Sequence, residues 1–190
     1  MIKMLYEPFQ KWSEKGSVYI ISDPHFDDAD CRLMDPDWPS PQEYIDNINK
    51  VVYKNDTLIC LGDIGDPRYL SHLKSGYKIL IKGNHDAGNE NYKFYFDEIY
   101  EGPIMIAPKI MLSHEPILSD YWMNIHGHVH NQNESLQKRN EINLAANICG
   151  YGVFNLGTAI KNGLVSQIDN IHRVTIDQAV IRKEEKRAFF

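Results

Sequence analysis

The sequence lacks long apolar runs and dense blocks of basic residues. Its apolar runs are about four residues long, as in Val18–Ile21, whereas a helix needs roughly 20 residues to cross a bilayer. The chain carries 20 basic and 26 acidic side chains, which gives a net charge of −6. Because an acidic balance provides no broad attraction for polyanions, we expect neither membrane association nor binding of long nucleic acid.

Paired cysteines and the apolar core typical of a secretory leader are also lacking. Cys31, Cys60 and Cys149 are odd in number and show no C-x-x-C spacing, which argues against a disulfide framework and a zinc ribbon. The first residues contain no continuous apolar core of the kind that a signal peptide needs. We therefore expect a cytoplasmic protein whose three thiols are small buried or idle side chains.

The composition and the length of the chain are typical of one globular domain. Hydrophobic residues make up 43% and charged residues 24% of the chain, close to the average of folded proteins. A length of 190 residues is enough for one well-buried core and too little for two. The prediction is a single domain over residues 1–190.

Three short, β-branched apolar segments each end at a polar cluster. They occupy residues 18–21, 57–61 and 78–82, and they predict buried strands. A capping box over Ser40-Pro41-Gln42-Glu43 predicts a helix between the first two, and Asp66-Pro67 opens a shorter helix before the third. Because strand and helix alternate, the strands should be parallel, and their polar carboxyl ends should meet at one edge of the sheet.

The second half of the chain has a different pattern. Apolar segments at residues 104–107, 110–112 and 122–125 are too closely spaced for long helices between them, which favours antiparallel strands. Residues 131–155 are rich in Asn and Gly and predict a loop with room for a short helix. Residues 176–187 predict a final, solvent-exposed helix.

Residue types that bind metals follow the predicted strands. The set contains three carboxylates, one amide and five imidazoles: Asp23, Asp63, Asp86, Asn84, His25, His85, His114, His128 and His130. Because this set is too rich for one divalent ion, it suggests two. Two ions about 3.5–4 Å apart, sharing a carboxylate, activate water and clamp an in-line displacement at phosphorus. Phosphoester hydrolysis is the reaction that this donor set predicts.

The motifs occur in the order D-x-H, G-D, G-N-H-D, H and G-H-x-H, and residues 18–130 resemble the calcineurin-like metallophosphoesterases. The resemblance implies an α/β fold, a two-sheet β-sandwich flanked by helices, as in metallo-dependent phosphatases. It implies that Asp23, His25 and His130 bind the first metal and that Asp63 bridges. It further implies that Asn84, His114 and His128 bind the second metal.

The resemblance also implies the catalytic groups. His85 is expected to donate a proton to the leaving oxygen or to stabilise the transition state, with Asp86 orienting its ring. Gly62, Gly83 and Gly127 directly precede ligands, where a tight turn or a close approach of the backbone would require glycine.

The predicted cofactors are two divalent metal ions. Mn²⁺ is the first choice, and Fe, Zn²⁺, Ni²⁺ and Co²⁺ are alternatives that the sequence does not separate. The predicted activity is hydrolysis of a small phosphorylated substrate, which could be a nucleotide, by metal-activated hydroxide. One alternative is a selective nucleotide phosphodiesterase or pyrophosphohydrolase. Another is a non-catalytic, protein-binding scaffold of the same fold, against which the complete ligand set argues.

Other polar residues are assigned supporting roles. His72 and His172 are expected to be structural, and His126 is expected to be structural or to support a ligand. The loops at residues 26–39, 87–96 and 131–155 are long enough to select a substrate. Candidate substrate contacts, for each of which a surface or packing role is favoured, are Asp27, Asp28, Arg32, Tyr92, Tyr121 and Trp122.

Overall fold

The computed structural model describes residues 1–86, 88, 90–131, 137–138, 140–166 and 168. The strands are β1 (Val18–Ile21), β2 (Thr57–Cys60), β3 (Tyr77–Ile81), β4 (Glu98–Tyr100), β5 (Ile104–Ala107), β6 (Ile110–Leu112), β7 (Met123–His126), β8 (Gln137–Lys138), β9 (Glu141–Asn143) and β10 (Phe154–Asn155). The α-helices are α1 (Glu7–Gln10), α2 (Cys31–Met34), α3 (Pro41–Asn49) and α4 (Leu156–Lys161). Short 3₁₀-helices occupy Lys11–Ser13, Pro67–His72, Asn84–Asp86 and Glu90–Phe94.

The first sheet has the strand order β10-β1-β2-β3-β4. Strands β1 to β4 are parallel, and β10 adds to β1 in the antiparallel direction. Ile21 lies opposite Cys60, and Cys60 lies opposite Leu80, so the three strands end at nearly the same level. The predicted parallel sheet is confirmed, and its polar segments emerge along one edge.

The two predicted crossover helices are confirmed. Helix α3 begins with the expected capping box, in which Glu43 N–H bonds to Ser40 Oγ and Ser40 N–H bonds to Glu43 Oε2 at 2.8 Å. The second crossover is the 3₁₀-helix Pro67–His72, which the Asp66 carboxylate caps through the Arg68 N–H. This helix is short, and the rest of the connection from β2 to β3 is loop.

Both faces of the first sheet are buried. One face packs against the second sheet through side chains that alternate along the strands, including Ile20, Ile59, Ile79, Leu112 and Ile125. The opposite face packs against α3, where the buried side chains include Tyr44, Ile45, Ile48, Leu58 and Leu80. The α/β architecture of two sheets flanked by helices is therefore confirmed.

The second sheet has the strand order β5-β6-β7-β9-β8 and corrects one prediction. Strands β5 and β6 are antiparallel as expected, but β6 pairs with β7 in parallel, and so does β7 with β9. The reason is that residues 113–122 cross back as an irregular loop that contains no helix. As a result β6 and β7 end side by side, and Gly127 N–H bonds to the His114 carbonyl at 2.9 Å.

The region predicted as loop, residues 131–155, contains β8, β9 and β10, and α4 follows it directly. The helix predicted at residues 176–187 lies outside the described residues. Cys31 and Cys60 are buried and Cys149 is half-buried, and all three are free thiols. In the described part of the chain, no helix combines the length and the apolar character needed to cross a lipid bilayer.

Candidate metal centre

The loops that follow β1 and β2 run side by side and carry three of the expected ligands. Asp23 N–H bonds to the Gly62 carbonyl at 3.1 Å, and His25 N–H bonds to the Asp63 carbonyl at 3.0 Å. Asp23, His25 and Asp63 have φ angles of 51°, 42° and 51°. Left-handed backbone at residues other than glycine costs about 1–3 kcal/mol each and is concentrated at functional sites. The three side chains lie close together, with His25 in contact range of both carboxylates.

The first cluster of potential ligands consists of Asp23, His25 and His130, whose ligand atoms all lie within 4.8 Å of one another. His130 Nε2 lies 3.8 Å from Asp23 Oδ1. This nitrogen is buried and has no hydrogen-bond partner among the described residues. A buried nitrogen without a partner is costly, and a cation bonded to its lone pair would satisfy it.

The second cluster consists of Asp63, His114 and His128. His114 Nδ1 lies 2.8 Å from the Leu61 carbonyl, which can only accept, so Nδ1 carries a proton. The other ring nitrogen, Nε2, faces Asn84 Oδ1 at 2.9 Å, His128 Nδ1 at 3.1 Å and Asp63 Oδ2 at 3.4 Å. Together with the His114 nitrogen, four potential ligand atoms lie close together here, which is the arrangement that a cation stabilises.

One carboxylate lies between the two clusters. Asp63 Oδ2 is 3.7 Å from His25 Nε2 in the first cluster and 3.4 Å from His114 Nε2 in the second. Two ligands that each bond one ion at about 2.1 Å lie roughly 3–4 Å apart, so these spacings fit metal coordination. The other oxygen, Oδ1, accepts the His85 N–H at 2.9 Å and fixes the carboxylate plane. Asp63 Oδ2 is therefore close to a potential ligand from each cluster.

Asp86 is fully buried and holds the ligand loops together. Oδ2 accepts the N–H groups of Asp63 at 2.8 Å and Gly83 at 2.9 Å. Oδ1 accepts the Ile64 N–H at 3.1 Å and the Tyr92 hydroxyl at 2.7 Å. These bonds occupy the roughly four lone-pair positions of a carboxylate. Asp86 thus bonds to the loops and not to the imidazole of His85, whose ring it is expected from the sequence to orient.

His85 stands at the mouth of the site. Its side chain is 69% exposed, and Nε2 lies 4.0 Å from Asp63 Oδ2. The ring therefore faces both the solvent and the bridging position. Its neighbour His25 is mostly covered, with ring centres 5.7 Å apart.

Burial controls the protonation of the first cluster. It lowers the pKa of His25 and of His130, which keeps both imidazoles in the neutral form that binds metals. Burial also raises the pKa of Asp23 to about 7, although the nearby His114 ring and the His128 N–H act in the opposite direction. A buried carboxylate that resists ionisation in this way is stabilised in its charged form by a neighbouring cation.

The close approach expected at the motif glycines is confirmed. A Cβ atom on Gly127 would lie 1.8 Å from Ser22 Oγ and 2.2 Å from Asp23 Oδ2. A Cβ atom on Gly83 would lie 2.2 Å from Asp63 Oδ1. Any larger residue at either position would displace one of these side chains.

Two residues that pattern reasoning misses also contact the first cluster. Asn147 Oδ1 lies 2.8 Å from His130 Nδ1, and Asn147 Nδ2 donates to the His130 carbonyl at 2.9 Å. The Trp38 ring packs edge-on against His25 and at a tilt against His130, with ring centres 6.1 and 5.8 Å away. No spacing or periodicity distinguishes Asn147 among the several asparagines of its segment, and Trp38 precedes α3 in an irregular loop.

The remaining candidates have mixed positions. Asp28 Oδ2 lies 3.8 Å from His25 Nδ1, so this side chain faces a potential ligand. Tyr92 is buried against Asp86, and it lines neither of the two clefts that open beside the clusters and are described below. His126 is buried, with Nδ1 close to the Gly127 carbonyl at 2.8 Å, in agreement with a structural role. His72 is exposed, Tyr121 is 40% exposed and Trp122 is half-buried, whereas His172 lies outside the described residues.

Two clefts open beside the clusters. One of about 240 Å³ adjoins His25 and is lined mainly by Pro24, Asp27, Asp28, Arg32, Trp38 and Tyr44. The other, of about 310 Å³, adjoins Asn84 and His114 and is lined by residues that include Lys82, Glu101 and Glu115. The two clefts therefore lie next to different clusters.

The chain is similar to several known proteins. A model of the calcineurin-like phosphoesterase family matches residues 16–172. An uncharacterised protein of Methanocaldococcus jannaschii is 30% identical over 166 residues, which cover 76% of this chain and 89% of that protein. A crystal structure of an Aquifex aeolicus protein of unknown function has 29% sequence identity and a TM-score of 0.64, and the match covers 76% of this chain and 98% of that one.

A further solved structure, the nuclease MPE of Pseudomonas putida, has 22% sequence identity and a TM-score of 0.46, with 60% of this chain and 61% of that chain covered. The family match extends over most of the chain and includes every residue of both clusters. This chain therefore belongs to the calcineurin-like phosphoesterase family.

Proposed function

We propose that the protein hydrolyses small phosphate esters and that two divalent cations, with Mn²⁺ as the first choice, serve as cofactors. The family supports a metal-dependent phosphoesterase, and the two ligand clusters supply the donors. The first cation would be held by Asp23, His25 and His130, and the second by Asn84, His114 and His128. The observation that carries the proposal is that Asp63 Oδ2 is within 3.7 Å of a ligand nitrogen from each cluster.

The cations and the protein have separate tasks in this proposal. When bound, a pair of divalent cations lowers the pKa of a coordinated water and offsets the charge of a phosphate group. Asn84 contributes an oxygen without a charge, which limits the negative charge of a site that must admit an anion. Burial of Asp23 and of His114 keeps bulk water away from the ligand atoms.

His85 is proposed to donate the proton to the leaving oxygen. Its ring is exposed at the mouth of the site, where a bound ester would reach it. Its backbone N–H is fixed by Asp63 Oδ1 at 2.9 Å. Asp86 then acts on His85 only through the backbone, since its carboxylate holds the loops that contain Asp63 and Gly83.

The clefts favour a small substrate. A cleft of about 240 Å³ has room for a leaving group of the size of one or two rings and is below the usual range of drug-sized sites. Because one cleft adjoins each cluster, a phosphodiester could place one substituent in each. This arrangement favours a selective nucleotide phosphodiesterase as the second candidate function.

The test begins with metal removal and replacement. Purified protein treated with a chelator is assayed on p-nitrophenyl phosphate and on bis-p-nitrophenyl phosphate before and after addition of Mn²⁺. We expect two bound ions per chain and turnover that returns with Mn²⁺. A faster reaction on the diester would favour the second candidate. Absence of both stoichiometric metal and turnover would contradict the proposal and leave the protein-binding scaffold as the better interpretation.

Asp63→Asn provides the matched variant. Asparagine keeps the shape of the side chain and can still accept the His85 N–H through its oxygen, but it loses the charge that a bridging ligand supplies. We expect the variant to fold and to bind fewer than two ions. Unchanged metal content in this variant would argue against a bridging role for Asp63.

A further inference from the structure

Asn147 is joined to His130 by two hydrogen bonds, although 17 positions separate them in the sequence. We infer that Asn147 is a positioning residue that fixes the tautomer and the orientation of the His130 ring, so that Nε2 is presented to the first cation. The inference rests on the proposed function, because it takes His130 as a ligand.

The tautomer follows from the two bonds together. The His130 carbonyl can only accept, so the Asn147 amide nitrogen must face it, at 2.9 Å. The amide oxygen then faces His130 Nδ1 at 2.8 Å, and this ring nitrogen must carry the proton. In a neutral imidazole the proton on Nδ1 leaves Nε2 with a free lone pair. That atom is buried, has no partner among the described residues and lies 3.8 Å from Asp23 Oδ1.

Asn147 is itself held in place by the backbone around it. Leu144 N–H bonds to the His126 carbonyl at 2.6 Å, which ties the end of β9 to β7. Asn143 Nδ2 donates to the Val129 carbonyl at 2.7 Å, directly before His130. The segment that presents Asn147 is therefore anchored to the segment that presents His130. A ligand oriented by a rigid neighbour loses less entropy when it binds a metal.

The chemistry of the side chain explains why an amide suits this position. An amide donates and accepts at the same time, and both actions are used here. A carboxylate would accept the Nδ1 proton but would face the His130 carbonyl with a second acceptor. It would also add a negative charge near Asp23 and Asp63. An apolar residue of the same size would leave both partners on His130 unsatisfied.

The first readout uses metal-free protein and does not depend on activity. Nitrogen-15 NMR of histidine-labelled protein at pH 8 reports which ring nitrogen carries the proton. The His130 signal is identified as the one missing in His130→Ala. We expect the Nδ1–H tautomer in the wild type and a shift towards the Nε2–H tautomer in Asn147→Leu. A wild-type ring protonated on Nε2, or an Asn147→Leu ring that keeps the wild-type tautomer, would overturn the inference.

The second readout is Mn²⁺ affinity by calorimetry. Loss of a group that orients a metal ligand weakens binding by about 10- to 100-fold, and we expect this for Asn147→Leu. Asn147→Asp loses the donor to the His130 carbonyl but keeps an acceptor for the Nδ1 proton, so it should lose less affinity than Asn147→Leu; a purely structural role for Asn147 would predict no such difference. If Asn147→Leu does not fold, Asn147→Ser, which also lacks the paired contacts, takes its place. Equal losses in Asn147→Asp and in the apolar variant would contradict the inference.

Two further variants separate this inference from the proposed function. His130→Ala should weaken Mn²⁺ binding at least as much as Asn147→Leu. If His130→Ala binds Mn²⁺ normally, the ligand assignment is wrong and the inference falls with it. If His130→Ala weakens binding and Asn147→Leu does not, only the inference fails. Asn155→Ala removes the cap of α4, away from both clusters, and should leave the Mn²⁺ affinity unchanged.

Discussion

The hydroxyl of Tyr92 donates a 2.7 Å hydrogen bond to Oδ1 of the Asp86 carboxylate, and both side chains are buried. The sequence offers Tyr92 as a candidate substrate contact, because it lies in a loop that follows a metal-binding motif. The position of Tyr92 in the structure indicates a supporting role instead. The Tyr92 hydroxyl completes the hydrogen bonds of the Asp86 carboxylate. The same carboxylate accepts the backbone N–H groups of Asp63 and Gly83 and so holds their loops.

Tyr92→Phe tests this supporting role. Removing the hydroxyl leaves a buried carboxylate oxygen short of one bond, and bonds to charged groups contribute about 1.5–3 kcal/mol. We expect the free energy of unfolding, measured with urea, to fall by about that amount, and Mn²⁺ to bind more weakly. Tyr53→Phe is the control, because the Tyr53 hydroxyl bonds to an exposed carbonyl far from the site. Equal and small losses in both variants would contradict the role assigned to Tyr92.

His85→Asn tests the proton donor. The side chain is 69% exposed, and its backbone N–H, which fixes Asp63, is unaffected by the change. We therefore expect both metal ions to stay bound while kcat falls by about 10²- to 10⁴-fold, the usual contribution of a general acid. His72→Asn, at another exposed histidine, should behave as the wild type. A His85→Asn variant with nearly normal kcat would remove His85 from the mechanism.

Gly127→Ala tests the packing of the ligand loops. The new Cβ would lie 1.8 Å from Ser22 Oγ and 2.2 Å from Asp23 Oδ2, so one of these groups must move. We expect a loss of about 2–4 kcal/mol of stability, within the range of severe steric changes, together with loss of metal from the first cluster. Gly102→Ala is the control, since its Cβ would meet nothing within 4 Å. Thermal unfolding and metal content measure both effects, and a stable, metal-loaded Gly127→Ala protein would refute the steric argument.

The convergence of the residues that follow β1, β2 and β3 could be predicted from the sequence because it follows from the direction of these strands. Parallel strands in register place the residues after Ile21, Cys60 and Ile81 at one edge, whatever the loops do in detail. The capping box at Ser40 is equally local, since all of its atoms belong to four consecutive residues. Such features need no knowledge of distant parts of the chain.

Other features depend on distant contacts and escape this reasoning. The parallel direction of β7 depends on the path of residues 113–122, which contain no helix or strand to indicate it. Asn147 reaches His130 only because β9 pairs with β7 and carries the next segment towards the site. Trp38 packs against His130 across 92 positions of sequence. None of these contacts produces a periodic pattern in the sequence from which it could be predicted.

The stability of the metal-free protein should depend on pH through Asp23, His25 and His130. Burial raises the pKa of its carboxyl from 3.8 to about 7, so between these values the folded state holds a proton that the unfolded state has lost. Its contribution to stability is complete below about pH 4 and is lost as the pH rises through 7. His25 and His130, with pKa values lowered by burial, act in the opposite direction: their protons cost stability at low pH, and the cost disappears above the unfolded-state pKa of about 6.5.

Asp23→Asn separates these opposing effects, because both histidines are present in the variant and the wild type. In chelator-treated protein, we expect the variant to gain stability relative to the wild type between pH 4.5 and pH 8, by about 2–4 kcal/mol. Urea unfolding at several pH values measures the difference. Saturating Mn²⁺ should reverse the order at pH 8, because the ion binds the folded wild type more tightly. Parallel pH profiles for the two metal-free proteins would show that Asp23 is already ionised without a cation, and the argument from its burial would then be wrong.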